Sequence, residues 1–328
     1  MFYMLIFNLN IRGLGGGTKA RYLKRCIATE EVEFVCIQET KTVEITEARC
    51  FSLWGDNNIG WIHNGGANGN GGVLSMWHKD TFTYESHSLG KGYIATVGQH
   101  VKSAKRCCVV NVYAACSLKE KKRLWEDLSK CKEASQIELW CFCRDFNAIR
   151  SRMERQGADR GDFTSEIKGF NEFIESNLLL DLPIVGKNFT WFRSNGTAKS
   201  RIDRALVSEE WLQCWPMCKQ YVQRREVSDH CALMIKCLDK EWGPKPFRSI
   251  DAWHSEQGFD RMVEARWKSY ANQGSDLKGL KEKFKLLKAD LKTWNKEVFG
   301  NLNTIKRSIL QDIESFNYQD CNLSGVGK

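Results

Sequence analysis

The sequence holds 14 cysteines but no Cys-x-x-Cys pair, which argues against a zinc ribbon and a thioredoxin-type redox motif. No stretch approaches the roughly 20 uninterrupted apolar residues of a membrane helix, so no membrane partner is expected. Residues 1–10 carry no basic segment ahead of an apolar run, so the expectation is no signal peptide and an intracellular protein. The cysteines, among them Cys26, Cys36, Cys50, Cys107 and Cys108, lie mostly among apolar neighbours. They read as small buried hydrophobes in a reducing compartment rather than as a disulfide framework. Residues 64–72 are rich in Gly and Asn but lack the Gly-Lys-Ser/Thr ending of a phosphate loop, and so read as a mobile surface turn. Gly13, Gly15, Gly16 and Gly17 follow a strand and precede a helix without the dinucleotide spacing or its acidic ribose partner. No small-molecule cofactor is expected. A Tyr/Phe-x-Asp-Asp polymerase signature is also missing.

What is present is ordinary globular composition, 42% hydrophobic and 27% charged, with a net charge of +9. The positive excess favours polyanions without identifying them, and solubility alone would also explain it. Strand-like runs at 2–7, 33–37, 72–77, 93–97, 107–113, 137–142, 202–207 and 231–235 alternate with turn clusters. Helices are expected at 118–134, where Leu124, Trp125 and Leu128 share a face, and at 165–176. Many strands with few helices between them predict an α/β fold of two packed sheets with helices outside. After Trp242 the texture changes. Gly243-Pro244-Lys245-Pro246 breaks the chain, and Leu277, Leu280, Phe284, Leu287, Leu291, Trp294 and Val298 then recur at helical spacing. Leu302, Ile305, Ile309, Ile313 and Phe316 continue the stripe past Gly300, with lysines on the other faces. The 277–316 stripe reads as a helical pair packed on itself or as a self-associating coiled coil.

Phosphodiester hydrolysis needs a cation against phosphate charge, a base for water, and donors around phosphorus. Oxygen ligands for such a cation should stand at strand ends, where loops meet in a cleft. Asn10 ends the first strand, Glu39 the second and Tyr113 a third; Asp145 and Asn147 follow a fourth. Asp203 lies in Ser-Arg-Ile-Asp-Arg, and Asp229 stands beside His230. Taken singly, each acid has a turn-forming explanation, and a His beside an Asp is usually a structural pair.

Together and in this order, these residues resemble the endonuclease/exonuclease/phosphatase superfamily over roughly residues 1–237. Asn10-Ile11-Arg12-Gly13, Phe189-Thr190-Trp191 ahead of Ser-Arg-Ile-Asp-Arg, the Gly243–Arg248 linker and Trp294–Gly300 look most like plant LINE-type (non-LTR) retrotransposon endonucleases. The resemblance implies a four-layer sandwich of two mainly antiparallel sheets over 1–237. It also implies a helical segment over 238–328 that would precede a reverse transcriptase in a full-length element. It implies a Mg²⁺-dependent (or Mn²⁺-dependent) enzyme that nicks DNA, with a nuclear location. Glu39 would be the main metal carboxylate, and Asn10, Asp145, Asn147, Asp229 and His230 would complete the metal site. Asp145 would activate water, Asn147 would donate to the oxyanion, and Tyr113 would touch phosphate or the leaving oxygen. His230, held by Asp203 or Asp229, would bond the scissile phosphate. The same fold also serves phosphatases and phospholipases.

The chain departs from the pattern in places. Cys143 and Arg144 stand where the family places two small residues, Asn8-Leu9 replaces Ser-Trp, and prolines are absent near Ala115 and Ala232. A guanidinium beside Asp145 is expected to compete with the cation and impair catalysis. A non-catalytic nucleic-acid-binding relic is the corresponding third reading.

Overall fold

The computed structural model describes residues 4–66, 71–157, 161–237, 251–254, 256–270 and 277–298. In chain order the first eight strands are β1 (Ile6–Asn10), β2 (Phe34–Gln38), β3 (Ile59–Asn64), β4 (Val73–His78), β5 (Phe82–Gly90), β6 (Tyr93–His100), β7 (Lys105–Tyr113) and β8 (Leu139–Asp145). They are followed by β9 (Arg155–Gly157), β10 (Leu179–Asp181), β11 (Ile184–Val185), β12 (Trp191–Phe192), β13 (Ala198–Ser200), β14 (Asp203–Ser208), β15 (Cys218–Val222) and β16 (Leu233–Cys237). One sheet has the order β11-β15-β16-β1-β2-β4-β3 and the other β10-β14-β8-β7-β6-β5, while β12-β13-β9 form a small third. The only parallel pairs in them are β1 with β2, β7 with β8 and β11 with β15. Both large sheets are therefore mixed and mainly antiparallel.

The helices are α1 (Gly17–Glu30), α2 (Glu47–Trp54), α3 (Leu118–Glu133), α4 (Thr164–Ser176), α5 (Glu209–Cys214), α6 (Asp251–His254), α7 (Phe259–Ser269) and α8 (Leu277–Val298). Strand alternation decides what each face meets. Phe7, Leu9, Val35 and Ile37 pack against Leu23 and Ile27 of α1 and Leu53 of α2. Val110, Val112 and Phe142 pack against Leu124 and Leu128 of α3 and Phe170 and Phe173 of α4. The intervening residues, Ile6, Phe34, Cys36, Val109, Cys141, Cys143 and Ala205, fill the space between the sheets. The result is a four-layer α/β sandwich. Helix α3 starts where Ser117 caps it, its hydroxyl accepting from the Glu120 backbone and donating to the Glu120 carboxylate at 2.9 Å.

The expected strands are present with shifted ends. The run expected at 2–7 is Ile6–Asn10, and it continues through two asparagines because the inter-sheet layer turns polar at that end. Strands β3, β5, β15 and the short β9 to β13 were not expected. β5 is exposed along most of its length, and so lacks the apolar alternation that marks a half-buried strand. No disulfide joins the described cysteines from Cys26 to Cys231, and most of them are buried. Among the described residues no helix is long and apolar enough to cross a membrane.

The chain divides into two compact units, Met1–Lys240 and Glu241–Lys328. In the second, Trp253, Phe259 and Leu291 are buried, with Met262, Val263, Leu287 and Trp294 packed around them. The part of the apolar stripe from Leu302 to Phe316 lies outside the described residues.

Candidate active site

The inter-sheet face of each central strand runs from apolar to polar toward one end. On β1 the sequence is Ile6, Asn8, Asn10; on β2 it is Phe34, Cys36, Gln38; on β7 it is Val109, Asn111, Tyr113; on β8 it is Cys141, Cys143, Asp145. Because β1 and β2 are parallel, as are β7 and β8, their carboxyl ends open together. Strand β14 runs antiparallel to β8 and places Asp203 opposite Asp145. Buried amides line the approach: Gln38 donates to Asn8 at 3.2 Å and also to Asn111, and Asn111 donates to the Leu74 carbonyl at 2.9 Å.

Asn10 joins the two principal carboxylates. Its Nδ2 donates to Glu39 Oε1 at 3.0 Å and to Asp145 Oδ2 at 2.9 Å, while its Oδ1 accepts from the Arg12 backbone at 3.1 Å. Asn147 donates its backbone N–H to Asp145 Oδ1 at 3.0 Å and one amide hydrogen to the Ala114 carbonyl at 2.6 Å. Its second amide hydrogen remains for a ligand in the cleft. On the opposite wall His230 Nδ1 meets both oxygens of Asp203, at 3.1 and 2.9 Å, and its Nε2 faces Asp145 Oδ2 at 3.8 Å. Burial pushes the imidazole down, but the charges of Asp203 and Asp145 and the Asp203 hydrogen bond outweigh it, raising its pKa to about 9. Burial, and then the charges of Glu39 and Asp145, push the Tyr113 phenol upward, so it remains a donor. Glu39, Tyr113, Asp145, Asn147 and His230 line one open cleft, together with Arg12, Lys121 and Trp191, while Asn10 and Asp203 are buried behind them.

Asp229 sits in the same cleft but has other partners. Its Oδ2 takes the Arg12 guanidinium at 2.6 Å and the Trp191 indole N–H at 3.0 Å. Of the two acids expected to hold His230, Asp203 is the one in contact. The Arg144 backbone pairs in register with Val112 and Arg204, while its side chain lies outside the described residues.

Several supporting residues gave no sequence signal of their own. Lys19 Nζ donates to the carbonyls of Ile11, Arg12 and Gly13 at 2.6, 2.9 and 3.0 Å, cinching the loop after β1. Gly13 has a φ of 96°, and Leu14 N reaches the Thr40 carbonyl at 2.9 Å, so this loop is tied to the one bearing Glu39. Residues 64–72 take part too: Thr40 N and Lys41 N donate to Gly72 and Gly71 at 3.1 and 2.8 Å, although 67–70 lie outside the described residues. Buried Lys121 bonds the Asn147 carbonyl and Glu166. Thr190 Oγ1 accepts from Asp203 N at 3.0 Å, and Ser228 Oγ bonds the Asn10 carbonyl at 2.7 Å. The Phe-Thr-Trp motif therefore works through Thr190 on Asp203 and through Trp191 on Asp229. On the far face of β14, fully buried Arg204 binds Glu154 and Asp181 at 2.6 Å each, and Arg201 binds the same two acids at 3.2 and 2.8 Å.

The donor chemistry fits a hard divalent cation. Glu39 and Asp145 bring carboxylate oxygens to one amide, the ligand type such ions prefer. The ligand atoms of buried Asp145, Asp203 and His230 also lie within 4.8 Å of one another. In that second grouping Asp203 and His230 already satisfy each other, so the oxygen set around Asn10 is the better cradle.

No protein of curated function matches the sequence significantly. Among solved structures, the Xenopus laevis APE2 catalytic domain is similar at 19% identity and TM-score 0.55, over 71% of this chain and 91% of that one. The endonuclease domain of TRAS1, a telomere-specific non-LTR retrotransposon, is similar at 14% identity and TM-score 0.53, over 73% of this chain and 100% of that one. The AP endonuclease LMAP of Leishmania major is similar at 17% identity and TM-score 0.52, over 71% and 86%. At these identities the likeness is one of fold. A family model decides membership: it matches residues 7–230, and the chain belongs to the endonuclease/exonuclease/phosphatase family.

Proposed function

We propose that the chain is a metal-dependent phosphodiesterase that nicks DNA, of the kind used by plant LINE-type retroelements and therefore acting in the nucleus. One observation carries the chemistry: Glu39 and Asp145 meet at Asn10, and the Asp203–His230 pair faces them across an open cleft. The retroelement assignment is supported by the Asn-x-Arg-Gly, Phe-Thr-Trp and Ser-Arg-Ile-Asp-Arg motifs and by a fold shared with the TRAS1 domain.

Glu39 and Asp145, with Asn10 orienting both, would hold Mg²⁺, which neutralises phosphate charge and stabilises the leaving oxygen when bound. Asp145 accepts a proton from, or orients, the attacking water. Asn147 offers its remaining amide hydrogen to a non-bridging oxygen as charge builds there. His230, oriented through Nδ1 by Asp203, presents Nε2–H to the phosphate from the opposite wall. The raised Tyr113 phenol donates without ionising. Asp229 anchors Arg12 at the rim, half exposed, where its other N–H groups can meet a flanking phosphate.

The test is nicking of supercoiled plasmid in Mg²⁺. Wild type should nick, EDTA should stop it, and Glu39→Ala should lower the rate at least about a thousandfold, roughly 4 kcal/mol of barrier, with the fold intact by circular dichroism. Full activity in EDTA refutes the mechanism. A wild type that binds DNA without nicking, and is rescued by Arg144→Gly, is the impaired copy that Arg144 foreshadows. Turnover of inositol phosphates or sphingomyelin instead of plasmid would move the assignment to the phosphatase or phospholipase branch.

A further inference from the structure

Helix α8 carries lysines at 278, 281, 283, 285, 288, 292 and 296. At 3.6 residues per turn, Lys278, Lys281, Lys285, Lys292 and Lys296 fall within a sector of about 60°, and the line from first to last is about 27 Å long. All five are exposed. The acids of this helix, Glu282, Asp290 and Glu297, lie outside the sector, and Asp290 is engaged by Tyr270 and Arg266. Among the described residues, Lys285 is the one member of the row in an ion pair, with Glu282 at 3.5 Å. Helix α7 shows the usual alternative, with Asp260 and Glu264 interspersed among its cations and Lys268 paired to Glu264 at 2.7 Å. Like charges three and four residues apart weaken a helix, so an unmixed row needs an external anion to offset it.

From this geometry we infer that the lysine row of α8 is a second nucleic-acid-binding surface, which grips the phosphate backbone of duplex DNA outside the catalytic cleft. The inference rests on the DNA substrate proposed above and adds a separate contact for it. A polyanion with a regular line of charge matches a regular line of cations. An anionic membrane matches less well, because α8 turns Leu287, Leu291 and Trp294 against Trp253, Phe259, Met262 and Val263, which covers the centre of its apolar face and leaves Leu280, Phe284 and Val298 exposed, less than an inserting helix presents. A surface joined to the nuclease by the chain raises the local concentration of substrate at the cleft without touching the chemistry.

The test compares the 328-residue chain with a variant in which Lys278, Lys281, Lys285, Lys292 and Lys296 are all replaced by Gln, a residue that keeps helix propensity. Binding to a fluorescent duplex in EDTA is measured against salt. The Gln variant should lower the log–log salt slope by about three to four and weaken binding at least about tenfold at 0.15 M salt. Its nicking rate at saturating DNA should stay unchanged. A companion Lys→Arg variant should keep the wild-type slope, which separates lost charge from a damaged helix. A slope changed by less than one unit, with helix content intact, overturns the inference. Lost binding to phosphatidylserine vesicles with DNA binding unchanged also overturns it and assigns the row to membranes. Duplex binding with no nicking by either wild type or Arg144→Gly refutes the proposed activity and leaves this surface standing.

Discussion

Asp203 and Arg204 are neighbours on β14, face opposite sides of the strand, and belong to charged clusters built on different rules. The Arg204 cluster closes on itself. Its guanidinium reaches Glu154 and Asp181, Arg201 reaches the same two acids, and Gln220 adds a bond to Asp181 at 3.0 Å. Burial pushes the guanidinium pKa down, and the two carboxylates more than restore it. The Asp203 cluster stays open. His230 Nε2 stands 3.8 Å from Asp145, beyond hydrogen-bond reach, and Asn147 has a hydrogen left to donate. A buried network in which two cations share two carboxylates holds the fold even with both arginine Nε groups unpartnered, whereas one whose donors face a cleft can meet a substrate.

The deepest cut into this contrast is Asp203→Asn. Nicking should fall about a hundred- to ten-thousandfold, the range for a general acid–base or orienting group, with melting little changed. Arg204→Met should do the reverse. It strands Glu154 and Asp181 without their central cation, costing about 3–5 kcal/mol, or a drop of roughly 10 °C by calorimetry for a unit of this size. The folded fraction should keep its specific activity. If both variants lose activity and stability alike, the distinction fails.

A smaller effect separates the clusters by pH. His230 is raised from 6.5 to about 9 in the fold, so its ion pair stabilises fully below 6.5 and fades as pH rises through 9. Melting in EDTA should decline over that window, and the alkaline limb of the pH–rate profile should move to lower pH in Asp203→Asn. A limb that does not move would detach His230 from Asp203. The smallest effect belongs to Trp191→Phe, which removes one hydrogen bond to Asp229, worth about 1 kcal/mol. A several-fold rise in KM with kcat retained is expected, because Arg12 loses a fixed anchor; an unchanged KM would make Trp191 only a packing residue.

How far the sequence can be read follows from the same division. Strands such as β7 were legible because Val109 and Val110 meet separate apolar layers, whereas β5, with Glu85, Ser86 and His87 exposed, offered no periodic signal. The strand-end residues Asn10, Glu39, Asp145 and Asn147 were legible by position, since their own turns place them. Which acid holds His230 was not, because that depends on how β14 registers against β8. The roles of Lys19, Lys121 and Trp191 were hidden for a related reason: their partners are distant in the chain, and only the finished fold selects them.

Half of the described non-glycine residues with left-handed backbone, Arg12, Glu39, Lys41 and Asn147 out of eight, lie in the loops that form the cleft. Such a conformation costs an ordinary residue about 1–2 kcal/mol, and glycine escapes it. A mutation such as Glu39→Gly would remove the proposed metal carboxylate while relaxing the chain. Substitutions accumulated without selection would therefore silence the proposed catalysis first and leave a well-folded protein behind. Expression and thermal stability would then be poor guides to whether a variant keeps the proposed activity, and the residues at positions 12, 39 and 147 would be the better record.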